Sequence, residues 1–212
     1  MTTDLAPRGG LTTRFLTPDR RHLLRTPRLL WLTFTYLHRL FLLALLPTIL
    51  GGGVLGDLLL YRTWADPGLD SQFWQGLDTE WVYLSGALVP IMAAGLAGPA
   101  LYQLCWFLMT AILKGLAVGV LTRLGRDAHG FPAAWAWLLL TLLLSPVGLP
   151  RLERITAPLI VMGLALIVRR PIVAATMLAA ATWIKVWPAA MVLAVLLTSR
   201  RRLRTCSQPA QP

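Results

Sequence analysis

The sequence predicts an all-α, polytopic transmembrane helix bundle of about six or seven spans, with interfacial helices in its first extracytoplasmic loop. Three observations carry that prediction. Hydrophobic residues make up 56% of the 212 and charged residues only 14%, a balance outside the range of soluble domains. The apolar residues fall in blocks about as long as the ~20 residues a helix needs to cross a ~30 Å hydrocarbon core. Charge is also sorted along the chain. Five of the nine acidic residues, Asp57, Asp66, Asp70, Asp78 and Glu80, lie in residues 57–81, where Arg62 is the sole basic residue. That segment is acidic within a chain of formal net charge +11. By the positive-inside rule it belongs on the extracytoplasmic side, with both basic termini in the cytoplasm of a multi-pass plasma-membrane protein.

Residues 1–28 carry Arg8, Arg14, Arg20, Arg21, Arg25 and Arg28 with three prolines, and read as a cytoplasmic arm, partly disordered. The transmembrane region covers residues 29–204, and residues 205–212 form a disordered tail. The first span lies within residues 29–60, most convincingly 40–56, and ends beside Gly51, Gly52 and Gly53. The acidic loop carries Tyr61, Trp64, Phe73, Trp74 and Trp81. Aromatics at that density suit helices at the membrane interface, with anchoring the simpler reading and ligand contact the other. Further apolar runs cover residues 82–98, 101–121, 132–149, 155–168 and 171–198. The last would be ~42 Å long as one helix, more than an untilted crossing needs, and it contains Lys185 and Pro188. It is either one tilted, kinked helix or two half-spans. Six crossings place both termini inside but leave Arg169 and Arg170 outside. Splitting the last run brings those arginines inside and makes another crossing re-entrant.

The basic residues sit mostly at the ends of apolar runs, where anionic lipid accounts for them, and no nucleic-acid-binding motif accompanies them. Nucleic acid is therefore excluded as a partner. Cys105 and Cys206 occupy different environments, and His22, His38 and His129 are scattered, so neither a disulfide framework nor a metal site is expected.

Asp57 is the sharpest candidate for chemistry. It directly follows a span, so its carboxylate sits at the outer membrane surface, partly desolvated yet near water, where it can act as a general base toward a hydroxyl. The competing reading is a helix-end acid that marks the water boundary. Glu80 precedes Trp81-Val82-Tyr83, where the chain re-enters the membrane. Lys185 places a cation inside an apolar run beside a helix breaker. Such a charge costs ~2.5–3.5 kcal/mol at depth even on lenient insertion scales, so it calls for an anion such as a lipid phosphate, or else for snorkelling to an interface. Arg151, Glu153 and Arg154 form a tight loop between two spans, read either as a phosphate clamp or as a cytoplasmic basic loop.

Three stretches resemble glycosyltransferase family 87, the polyprenyl-phosphate-sugar-dependent membrane enzymes that include mannosyltransferases. They are Gly56-Asp57 through Arg62-Thr63-Trp64, Trp81-Val82-Tyr83 through Gly86-Ala87-Leu88-Val89-Pro90, and Ala181-Thr182-Trp183-Ile184-Lys185-Val186-Trp187-Pro188. The similarity covers residues 40–204. It implies inverting transfer of a hexose, mannose first among the candidates, from a polyprenyl-phosphate donor to a lipid or glycan acceptor, with Asp57 as catalytic base. It further implies that Lys185 neutralises the donor phosphate and that Tyr61 and Arg62 border the same cavity; from the residues themselves, Glu80 and Tyr83 are further substrate-binding candidates and Arg151 and Arg154 candidate phosphate contacts. No cofactor, nucleotide-sugar site or metal is expected. Family members run to nearly twice this length, so the resemblance also implies a shortened member or one completed by a second chain. The alternative is a non-catalytic scaffold or transporter-like subunit derived from such an enzyme. That alternative expects Asp57 far from Lys185 and no cavity of headgroup size.

Overall fold

The computed structural model describes residues 26–125 and 131–206, and these are helical with no strand beyond one isolated bridge between Gln75 and Thr79. Disorder expected for the start of the arm and the end of the tail lies outside the described residues. The first described helix begins at Pro27 and the last runs to Cys206.

Helix α1, Pro27–Leu50, opens on a proline in its first turn, a position where the missing N–H costs nothing. It closes on Gly51, whose N–H reaches the Pro47 carbonyl. Helix α2, Leu58–Asp70, follows at once and packs on α3, Leu88–Gly95. The expected span over residues 82–98 is not one continuous helix. A 3-10 turn at Ser85–Ala87 precedes α3, which at eight residues extends ~12 Å, and Gly98 (φ 87°) with Pro99 ends it. The loop before it holds one helix, α2, rather than several. Its remaining part is irregular, pinned by the Trp74 N–H donating to the Asp78 carboxylate at 2.6 Å.

A 3-10 turn at Pro99–Leu101 leads into α4, Tyr102–Leu124. Helices α1 and α4, the latter counted from Pro99, are long and apolar enough to cross a membrane, with mean hydropathy 1.7 and 2.0 over 18-residue windows. Then come α5 (Pro132–Leu143), the single turn α6 (Ser145–Gly148), α7 (Glu153–Leu166), α8 (Pro171–Ile184) and α9 (Ala189–Cys206). The run over residues 171–198 therefore breaks in two. Lys185 is extended (φ −150°, ψ 145°), and Pro188 both lacks a donor and disfavours helix at Trp187.

Two ends of the bundle emerge from these contacts. At one, Leu30 of α1 packs with Val118 of α4 and with Phe131, Ala134 and Leu138 at the start of α5. At the other, the Leu55 N–H donates to Gln103 Oε1 at 2.7 Å, and the Trp106 indole donates to the Leu149 carbonyl at 3.2 Å. Both ends of α3 therefore connect to this second end. Helices α7 and α8 form an antiparallel hairpin in which Ile155 shares a cluster with Ile184, and Ile160 packs on Leu178 and Ala181. Helix α9 folds back along α8, so Leu196 lies beside Ile167 and Pro171, at the end away from Lys185. Large apolar side chains cover the outside, among them Leu43, Ile112, Leu143 and Ile172, as on a bundle whose surroundings are apolar.

Gly86 shows how tightly the second end is closed. A Cβ there would lie 2.5 Å from the Trp183 carbonyl oxygen and 2.6 Å from its ring. Gly86→Ala is expected to destabilise the protein by about 1–3 kcal/mol, since backbone rather than a mobile side chain must move. Thermal unfolding in neutral detergent reads this, and an unchanged midpoint would show that the 85–87 turn does not press on α8.

Candidate active site

Asp57 reaches its place through Gly56. That glycine has φ 49°, the left-handed region, and a Cβ on it would sit 3.0 Å from the Pro150 ring. The missing side chain thus allows the turn from α1 into α2 and the approach of the 149–152 segment. The result sets Arg151 Nε 4.0 Å from Asp57 Oδ2, both side chains about half exposed. The carboxylate is held near a cation yet open to an incoming hydroxyl.

Two residues further on, Glu153 begins α7 and accepts a hydrogen bond from Lys185 Nζ, an ion pair only partly exposed. The same ammonium lies 5.7 Å from the centre of the Tyr83 ring, within cation–π range. Tyr83 meets Tyr61 with ring centres 6.4 Å apart, and Tyr61 in turn packs on Trp106 at 5.3 Å and Trp64 at 5.8 Å. Trp81 closes the group edge-on against Trp64, at 5.4 Å and 89°. These aromatics form the floor of the second end, where Tyr61, Tyr102 and Trp106 are almost fully buried. Burial pushes the Tyr61 phenol far above its ordinary range, and the neighbouring Tyr83 phenol and Asp57 carboxylate act in the same direction. Tyr61 is therefore a neutral hydroxyl at all working pH.

The three stretches named from the sequence thus meet in space. Gly56-Asp57 and Tyr61 come from the first, Tyr83 and Gly86 from the second, and Trp183 and Lys185 from the third, with the Trp183 indole donating to Ser85 Oγ at 3.1 Å. Arg151 joins them through Asp57. Because Arg151, Glu153 and Arg154 stand at the same end as Asp57, the reading of that loop as one on the opposite side from the acidic segment is corrected. Lys185 is not a deep cation facing open space. It caps the end of α8 and already has a carboxylate partner. Arg154 turns inward instead, donating from Nη2 to the Leu144 and Ser145 carbonyls at 3.3 and 3.1 Å. Arg62 lines a separate cavity of about 160 Å³ with Gly52, Val54 and Gln103. Glu80 is exposed, and no ion pair ties it to the group among the described residues.

Trp106, Lys114 and the partnership of Glu153 with Lys185 escaped the sequence reading. The pair carried a faint signal, since Glu153 directly precedes one apolar run and Lys185 interrupts the next. Among the described residues no three His, Cys, Asp or Glu side chains gather as metal ligands. A groove of about 790 Å³ between α8 and α9 has no titratable lining residue and so offers no acid–base group. Comparisons with protein families, with curated proteins and with solved structures find no match to this chain.

The Glu153–Lys185 contact is testable on its own. A double-mutant cycle with Glu153→Gln and Lys185→Met is expected to give a coupling of about 0.5–1 kcal/mol, the range for a partly exposed pair. Additive effects in thermal unfolding would remove the pair from the account.

Proposed function

We propose that this chain is a membrane glycosyltransferase module that transfers a hexose from a polyprenyl-phosphate sugar to a hydroxyl of a lipid or glycan acceptor. The observation that carries this reading is the meeting of Asp57, Tyr61, Tyr83 and Lys185 at one end of the bundle, from three stretches far apart in sequence. The acceptor hydroxyl gives its proton to Asp57 as its oxygen attacks the anomeric carbon. The bond from that carbon to the phosphate oxygen breaks on the opposite face, the lipid phosphate leaves, and configuration inverts. A phosphate leaving group needs little protonation, so one base suffices. Arg151, 4.0 Å from Asp57, orients the carboxylate before attack. Trp64, Trp81 and Tyr83, the partly exposed members of the aromatic group, offer the faces on which a sugar ring stacks, and the Glu153-bound Lys185 fixes the position of Tyr83. The scaffold alternative fits less well, because Asp57 and Lys185 share one end and their partners Arg151 and Glu153 line a cavity of about 410 Å³.

The reading includes a membrane arrangement of six crossings, α1, α4, α5 with α6, α7, α8 and α9, with residues 82–101 returning to the side they left. Residues 132–148 would extend ~25 Å and each 14-residue helix ~21 Å, short enough to require local thinning of the bilayer. This arrangement puts the acidic loop on one side. It puts the start of α1, Arg169, Arg170 and the basic end of α9 on the other, as the positive-inside rule requires.

Asp57→Asn, in membranes supplied with radiolabelled polyprenyl-phosphate mannose, is expected to cut transfer by roughly 10²–10⁴-fold while insertion and abundance stay unchanged. Undiminished transfer would eliminate Asp57 as base. Single cysteines at positions 78 and 170, in a chain lacking Cys105 and Cys206, are expected to react with impermeant thiol reagents from opposite sides of the membrane. Labelling of both from one side would refute the six-crossing arrangement.

A further inference from the structure

The cavity of about 410 Å³ between α4, α5 and α7 contains a cation that neither the proposed transfer step nor the fold accounts for. Lys114 stands twelve residues into α4, roughly 18 Å from its start, and is 3% exposed. No acceptor or carboxylate is bonded to its ammonium among the described residues. Its electrostatic neighbours are Arg154 and His38, which offer no negative charge. Arg154, 6% exposed, lines the same cavity and has donors left over after its two carbonyl contacts. The other two charged pairs nearby are already closed: Arg151 faces Asp57, and Lys185 binds Glu153. Four basic side chains against two carboxylates leave Lys114 and Arg154 without a carboxylate partner, and both line the cavity beside Arg151 and Glu153.

A second observation points the same way. The Trp137 indole N–H, also on that wall, is buried without a hydrogen-bond partner among the described residues. A buried donor without an acceptor costs ~1–3 kcal/mol, and an uncompensated buried charge costs more. One anion with several oxygens would meet the lysine, the arginine and the indole together. The remaining lining includes Thr141, Arg151 and Glu153, the last two already paired with Asp57 and Lys185, and is otherwise apolar, with Leu140, Leu144 and Pro158, of which the first two are at least half exposed on the outside of the bundle. The cavity therefore opens sideways, through a surface suited to hydrocarbon.

We infer that Lys114, Arg154 and the Trp137 indole form a buried site for the phosphate of a lipid phosphate monoester or diester, whose tail leaves between Leu140 and Leu144. The site deepens the transfer reading, since on that reading it holds the donor phosphate within reach of Arg151 and Asp57. Its occupancy by a lipid phosphate does not itself require catalysis.

The test is isothermal titration of the full chain in neutral detergent micelles with farnesyl phosphate, farnesol and inorganic phosphate as separate probes. Farnesyl phosphate is expected to bind at least tenfold more tightly than either of the others. Comparable binding of farnesol would remove the anion site, and comparable binding of inorganic phosphate would remove the lipid assignment. Lys114→Met is expected to lose at least tenfold in farnesyl phosphate affinity while its melting temperature stays level or rises, because a buried charge has gone. Trp137→Phe keeps the ring and loses only the donor, and is expected to lose a few-fold. Unchanged affinity in both variants would overturn the inference. Asp57→Asn separates the two readings: it is expected to bind farnesyl phosphate as the parent does even when transfer is lost. Failure of transfer in the parent with binding intact would sink the enzyme and leave the site standing.

Discussion

The contact between Glu153 and Lys185 ties the first residue of α7 to the residue that ends α8, and the arrangement of the second end depends on it. Lys185 is extended at the point where α8 stops, so its ammonium is free to turn toward the start of the neighbouring helix. That pairing sets the register of the α7–α8 hairpin, with Ile155 beside Ile184 and Ile160 beside Leu178 and Ala181. It also holds the ammonium over Tyr83, which carries the hold on to Tyr61 and the buried aromatic floor. Two residues before Glu153, Arg151 faces Asp57, so the same short segment positions both charged pairs.

Charge sorting gives this end its chemistry. A bundle clad in leucine, isoleucine and valine tolerates ionised groups where water is near, or where they face one another. Asp57, Arg151, Glu153 and Lys185 meet that condition at one rim. Lys114 and Arg154 do not, and they remain as buried basic groups without a carboxylate partner on the cavity wall. The contrast separates groups that the fold has satisfied from groups that await an anion.

Much of the architecture was legible in the sequence, and the failures have physical causes. The helical class followed from apolar block length, and the break near Pro188 followed from the ring's missing donor and its effect on Trp187. The run over residues 82–98 reads as a span by hydropathy alone. Gly86, Gly98 and Pro99 instead cut it into short pieces that close approach to Trp183 and a positive φ require. Asp57 was visible because it follows an apolar run and Gly56. The partnership of Lys185 was not, because its partner lies 32 residues away and hairpin register is a tertiary property. Lys114 escaped for the opposite reason. A lone lysine in an apolar helix reads as a snorkelling residue until its neighbours are known to be cations and an indole.

The most direct measurement of the shared rim is thiol cross-linking in intact membranes, on a background lacking Cys105 and Cys206. Cysteine pairs at 57 with 151 and at 153 with 185 are brought together by a short bifunctional reagent if the rim exists, while 57 with 170 stays unlinked. Absence of both expected links, or an efficient link between 57 and 170, would contradict the common end on which the site is built.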